Sequence, residues 1–216
     1  YWRIDEVNQT PDNTIFQGGV WSFTVEPYAY PVTPVKATAS SAQANMGPEK
    51  TIDGSGMTGD QAGTEANTMW VSKAVPPNWI QYEFDAAYQL HELRVWNSNQ
   101  TVEPFVGFGA KEVTVEYSTD GATWTALAGV PTFGQGTGLP NYTANTIVDF
   151  GGVSAKYVRL TINKNWNGAI PTTGLSEVRF SCIPVQARAP QPANGATGVP
   201  VDTRLDWRPG RDAQSH

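Results

Sequence analysis

The 216-residue chain contains one cysteine, Cys182, and two histidines, His91 and His216. A lone cysteine excludes an internal disulfide and a structural zinc site built on thiolates. In "RFSCI" it reads as a small buried hydrophobe at a strand end. With one histidine inside the strand-like "LHELRVW" and the other at the last position, no nucleophile–histidine–acid constellation can be nominated. Charge is also scarce, at 16% of residues, and the balance is acidic, with a formal net charge of −6 and a pI near 4.9. There is no lysine-rich run, so the clustered basic face that a nucleic-acid backbone or an anionic lipid surface requires is missing. No apolar run is long enough to insert across a bilayer, and no signal-peptide pattern is present. Because the chain starts mid-pattern with "YWRIDEV" and stops at "RDAQSH", it reads as an excised or processed piece, and the missing signal peptide leaves location open.

What is plentiful is glycine (21), proline (16) and aromatic residues (8 each of Trp, Tyr and Phe). That mixture favours many short strands joined by punctuated loops, and no helical stripe stands out. Residues 1–26 hold two strand-like runs, "YWRIDEV" and "GGVWSFTV", around a polar loop. A proline-rich linker, 27–35, follows. From 36 to 183 the runs "WIQYEFD", "HELRVWN", "KEVTVEYS", "TIVDFGG", "KYVRLTIN" and "SEVRFSCI" read as separate strands of one all-β sandwich or barrel. "GMTGDQAGTEANTM" and "TFGQGTGLPNYTAN" are too long for tight hairpins and are candidate functional loops. Residues 184–216 carry a proline-rich entry and the strand "TRLDWR".

Within these zones, "KTIDGSG" (Lys50 to Gly56) sets a carboxylate, Asp53, before a glycine with hydroxyls on either side. By itself it fits either an Asp-Gly turn or the cradle of an ion. The glycine-rich "GFGA" and "FGQGTG" have neither the helix nor the lysine of a phosphate loop. The carboxylate pairs Asp5/Glu6 and Glu112/Glu116 lie on strands with no cleft signal, unlike the two facing acids of a glycosidase. Asn8, Asn99 and Asn141 begin sequons that read as chance. Phe105 and Trp166 fall between strands, beside asparagines. A flat apolar face with planar amides nearby is the chemistry of sugar recognition, and capping of the sandwich core is the other reading. The polar partners for binding are Asn97, Asn99, Gln100, Glu103 and Asn165.

In sequence order, "ATASS", "KTIDGS", "TMW", "WIQYEFD", "LHELRVW", "VEYSTDGATW", "AKYVRLTI" and "LSEVRF" resemble the discoidin, or coagulation-factor type C, domain. Within it they are most similar to family 32 carbohydrate-binding modules. The resemblance covers about two thirds of the chain. It implies an all-β, jelly-roll-like β-sandwich with a structural calcium at one edge and a ligand surface of loops at one end. Carried over residue by residue, it implies that calcium is held by the backbone carbonyls of Thr51 and Ser55, the carboxylate of Asp53, Thr68 and Glu177. The long insertion between Ser55 and Thr68 departs from the family and offers Thr58, Asp60 or Glu65 in place of Thr68. The flanks resemble the last strands (1–26) and first strands (184–216) of fibronectin type III-like domains.

These readings point to a non-catalytic, secreted or cell-surface module, stabilised by calcium, that binds a glycan or cell-surface polysaccharide or serves adhesion within a larger multidomain protein. The alternative is a structural subunit that assembles head to tail into a filament by complementing the flanking half-domains. Complementation would bury Trp2, Trp21, Phe23, Leu205 and Trp207, within one chain or between chains.

Overall fold

In "NWIQYEFD" the side chains of Ile80, Tyr82 and Phe84 are buried, while Trp79, Gln81 and Glu83 between them are only partly covered. This is the period-two signature of a strand with one face on a core. The computed structural model describes residues 1–74, 77–211 and 213; His216 lies outside the described residues. Among the described residues fourteen strands follow in chain order. Those of the flanks and linker are β1 (Glu6–Val7), β2 (Ile15–Phe16) and β3 (Tyr30–Val32). The central unit holds β4 (Lys36–Ala39), β5 (Met57–Thr58), β6 (Gln61–Ala62), β7 (Trp70–Val71) and β8 (Asn78–Asn97). After a short helix, α1 (Glu103–Val106), it continues with β9 (Ala110–Ser118), β10 (Thr125–Ala126), β11 (Thr146–Asn165) and β12 (Gly174–Ile183). The last two strands are β13 (Arg188–Gln191) and β14 (Asp206–Arg208).

β8 and β11, 20 residues each, form the spine of the sandwich and pair antiparallel over nearly their whole length. The sequence suggests four strands here, and the structure joins them into two. Each chain bends while staying in the ladder, with register shifts between Asp149 and Val153 and between Ala155 and Tyr157. Gly151 and Gly152, at φ +59° and +80°, supply the left-handed backbone for the bend in β11. The bend puts the two halves into two layers. β4 pairs with the first half of β8, and β9 and β10 extend the second half of β11. On the other layer, β12 pairs with the second half of β8 and carries β3 and β7 on its far edge.

The layers meet at Phe180, whose ring lies edge-on to Tyr82 at 5.5 Å and to Phe84 at 5.2 Å. Around it Ile80, Leu90, Leu93, Val95, Val115, Val158, Leu160 and Val178 complete one buried core. Cys182 packs against this core as a partly buried thiol whose pKa burial pushes up. The protein is a β-sandwich.

The flanks differ from the expectation of complementation within one chain. β1 and β2 pair as a hairpin closed by Trp2 and Trp21, whose rings meet edge-on at 4.5 Å. β13 and β14 form a second, separate two-stranded sheet. Trp2, Trp21, Phe23, Leu205 and Trp207 are all exposed. A two-stranded sheet gives one layer and no second apolar face to close upon it. The C-terminal segment docks instead on the linker, where Arg211 donates its backbone N–H to the Pro184 carbonyl and its guanidinium to that of Pro27.

Candidate functional site

Two regions of the sandwich carry the residues singled out from sequence. The first is the edge formed by "TIDGS" and β12. The chain turns through a short 3-10 helix, Pro48–Thr51. The Thr51 hydroxyl is buried there, donating to the Pro48 carbonyl at 2.8 Å and meeting the Tyr82 hydroxyl at 3.1 Å, so only its backbone oxygen remains for an ion. Asp53 is exposed and accepts the Ser55 N–H at 2.8 Å, with the Lys50 ammonium 3.5 Å away. Its pKa is lowered by bonds from Ser55 and by Lys50, which outweigh the cost of partial burial.

Glu177 comes to the same edge from β12 and is almost fully buried. Its Oε2 has no hydrogen-bond partner among the described residues. Burial, with Asp53 adding to it, pushes its pKa up to about 7 against the pull of Arg179 and the Gly54 amide. Thr68 reaches the turn as well, since a Cβ on Gly56 would fall 2.4 Å from its Oγ1, although that hydroxyl donates to the Glu65 carbonyl. Of the substitutes in the insertion, Asp60 is taken up by Arg179 at 2.6 Å and Arg94 at 3.9 Å. Thr58 and Glu65 are exposed. No group of three His, Cys, Asp or Glu side chains converges among the described residues. An orphaned buried carboxylate oxygen on Glu177, near enough to Asp53 for the two charges to act on each other, is oxygen chemistry that fits a hard cation such as calcium.

The second region is the loop end above β8 and β11. The sequence nominates Asn97, Asn99, Glu103 and Asn165 as ligand partners, and the structure turns all four inward. Asn97 donates to the carbonyls of Ala110 and Gly134 and accepts from the N–H groups of Ser98 and Ala110. Asn99 donates to Gly63 and Leu139 and accepts from Gly138, tying together the two long loops read as functional candidates. Asn165 closes its own loop on Ile170, Thr172 and Gly168. Glu103 accepts the Gly109 N–H at 2.8 Å, and burial raises its pKa to about 6. These side chains satisfy loop backbone that would otherwise be buried without partners, so they shape the surface and present no atom to it.

The surface itself is left to others. Phe105 is 89% exposed on the four-residue α1. Gln100 is partly exposed beside it. Trp166 is half-buried, its Nε1 donating to the Phe133 carbonyl at 3.1 Å and its face covered by the Lys111 ammonium 4.6 Å from the ring centre. Sequence reading missed Gln135 and Asn167. Gln135 donates to the Glu103 carbonyl, and Asn167 pins the α1 loop by donating to Val106. The Asn-Gly step at 167–168 was the available signal for the latter. Outside both regions, Glu112 is an exposed strand charge paired with Lys164 at 2.9 Å. His91 lies edge-on to Tyr28. No helix among the described residues is long and apolar enough to cross a membrane.

A bent-strand β-sandwich with a cation-fitting edge and a braced loop crest defines a class of all-β modules. The model of the F5/8 type C domain matches residues 36–178, and the chain belongs to that family. Among solved structures, the CBM32-3 module of a family 31 glycoside hydrolase from Clostridium perfringens is similar at 19% identity and a TM-score of 0.50, over 72% of this chain and 95% of that one. A truncated AlyQ with CBM32 and alginate lyase domains is similar at 20% identity and a TM-score of 0.50, over 76% of this chain and 37% of that one. The family 32 module of NanJ from C. perfringens, solved in complex with galactose, is 14% identical over 68% of this chain and 92% of that one, with a TM-score of 0.49. No curated protein matches the chain.

Proposed function

We propose that the sandwich is a non-catalytic carbohydrate-binding module of a secreted or cell-surface protein, with its ligand surface at the loop crest around Phe105. One observation carries this reading: a phenyl ring is held in water on a short helix tied down by the buried Glu103 carboxylate and by Gln135 and Asn167 on its carbonyls. An exposed apolar ring on rigid backbone costs stability and gains nothing in the core, whereas it suits stacking on the apolar face of a sugar. The fold shared with CBM32 modules supports it. Phe105→Ala should lower glycan affinity by about 1–3 kcal/mol, by analogy with stacking of bases on aromatic rings, and leave the melting temperature unchanged. Trp166→Ala should lower stability as well, because its indole is bonded into the loop end. Glycan binding by calorimetry that is indifferent to Phe105→Ala would sink the crest as the site.

The reading includes calcium at the Asp53/Glu177 edge, with the carbonyls of Thr51 and Ser55 and the Thr68 hydroxyl as neutral donors. A bound divalent cation would supply the positive charge that the two carboxylates lack. An ion that binds only the folded state adds about 2.7 kcal/mol at 100 times its Kd. Melting in excess calcium should therefore exceed melting in chelator by several degrees, and Asp53→Ala should erase the difference. Equal melting under both conditions removes the metal from the reading.

The exposed apolar side chains of both flanks favour a second reading, self-association between copies. Light scattering of the full chain against a 36–183 fragment tests it: two monomers at high concentration exclude it.

A further inference from the structure

Glu26, the linker and the C-terminal segment border an open hollow of about 490 Å3 lined chiefly by Glu26, Tyr28, Arg188, Arg208, Pro209 and Arg211. Three guanidinium groups converge there on one carboxylate. Glu26 accepts from Arg188 and from the Tyr30 hydroxyl, while Arg208 and Arg211 stand off at 3.6 and 3.8 Å. Among the described lining residues one negative charge stands against three positive ones, which makes the hollow cationic in a chain whose formal net charge is −6. The Arg208 side chain is 63% exposed, so its fork of donors is open to a second anion. Tyr28 presents a half-exposed ring beside them, with the Arg211 guanidinium 5.7 Å from its centre. Tyr28 also borders a second hollow of about 370 Å3 that runs past His91, Glu92, Arg94 and Arg179. Asp60 pairs with both of those arginines, so the unneutralised positive charge of the groove that the two hollows make lies at Arg208 and Arg211.

We propose that this groove is a second binding site, separate from the Phe105 crest, that takes an acidic oligosaccharide, with Arg208 and Arg211 holding a hexuronate carboxylate and Tyr28 holding the face of its ring. It rests on the reading of the module as a glycan binder. Charge complementarity selects the acid, and the aromatic ring between the two hollows selects a cyclic ligand over an acidic peptide. The arginines that would hold the carboxylate, Arg208 and Arg211, belong to the C-terminal segment, which contributes nothing to the crest.

Calorimetric titration of the full chain with trigalacturonate tests the proposal. The affinity should fall about tenfold on Arg208→Gln, further with Arg211→Gln added, and stay the same on Phe105→Ala. The melting temperature of Arg208→Gln should match the parent, because its tie to Glu26 is exposed. The fully methyl-esterified trisaccharide should bind at least tenfold more weakly than the acid. Neutral glycans should show the reverse pattern, sensitive to Phe105→Ala and indifferent to Arg208→Gln. Equal affinity for acid and ester, an affinity unmoved by Arg208→Gln, or displacement by poly-glutamate at equal carboxylate concentration each overturns the assignment. Binding of neutral glycans without binding of trigalacturonate overturns the groove alone. Silence of every sugar overturns the groove and the crest together.

Discussion

Trp70 and Trp96 are fully buried, whereas Trp2 and Trp21 stand exposed on a hairpin of the same chain. Residue type does not separate the two pairs, and strand propensity is high in both surroundings. What separates them is the number of layers. Trp70 lies in the sandwich core between two sheets, and Trp96 lies over a satellite cluster with Ala62 and Tyr142. Trp2 and Trp21 meet edge-on and stay about half exposed. An aromatic side chain contributes to stability when a second surface removes it from water, and the flanks present one surface each.

The sharpest way to break this contrast is to delete one ring from each region. Phe180→Ala removes the ring on which Tyr82, Phe84 and Phe150 converge. It should cost about 3–5 kcal/mol in denaturant unfolding, the range for a buried Phe truncation. Trp21→Ala should cost the sandwich transition no more than about 0.5 kcal/mol, as for surface positions. Comparable losses from both would show that the flank folds as one cooperative unit with the sandwich.

Much of the sandwich was legible because burial of one strand face forces alternation, and "WIQYEFD" and "KYVRLTIN" could hardly alternate otherwise. The joining of four strands into two was not legible. Gly151 and Gly152 read as punctuation, and only the continuing ladder on both sides shows that they bend a strand without ending it. The loop end shows a different limit. Asparagine in a loop announces that amide hydrogen bonds will be made, and it does not say whether the partner is a ligand or the backbone of another loop. Asn97 and Asn99 chose the backbone, with partners more than ten residues away that no local pattern reveals. Phe105 was legible as an aromatic out of register, and its exposure was not.

Carboxylates sharpen the comparison with a smaller effect of definite sign. Glu103, inside the sandwich, has a pKa raised from 4.5 to about 6, first by burial. A group raised on folding stabilises the fold below its unfolded value and loses that contribution as pH rises through the folded value. Stability of the parent relative to Glu103→Gln should therefore decline between pH 4.5 and 6 and level off above. Glu177 is also raised, and it is present in both proteins, so the difference isolates Glu103. A flat difference across that window would mean that the carboxyl is not held away from water.

Glu26, in the flank region, should show the opposite sign and the smallest effect. The Tyr30 hydroxyl, then Arg188, and through space Arg211 hold its pKa at about 2 against a reference of 4.5, with Arg208 also facing it. A group lowered on folding contributes above its unfolded value and loses the contribution as pH falls through the folded one. What Glu26 holds is the C-terminal segment on the linker, so the reporter must lie there. The backbone N–H of Arg211, bonded to the Pro184 carbonyl at 2.7 Å, is suited to this. Its hydrogen-exchange protection, corrected for intrinsic pH dependence, should exceed that of Glu26→Gln above pH 4.5. The two should converge as pH falls towards 2, and added salt should narrow the gap because the pair is partly exposed. Protection identical in the two proteins at neutral pH would show that the three arginines hold the segment without Glu26. In that case the docking of the segment would rest on the guanidinium bonds of Arg211 to Pro27 and of Arg188 to Pro209, together with the Arg211–Pro184 backbone bond.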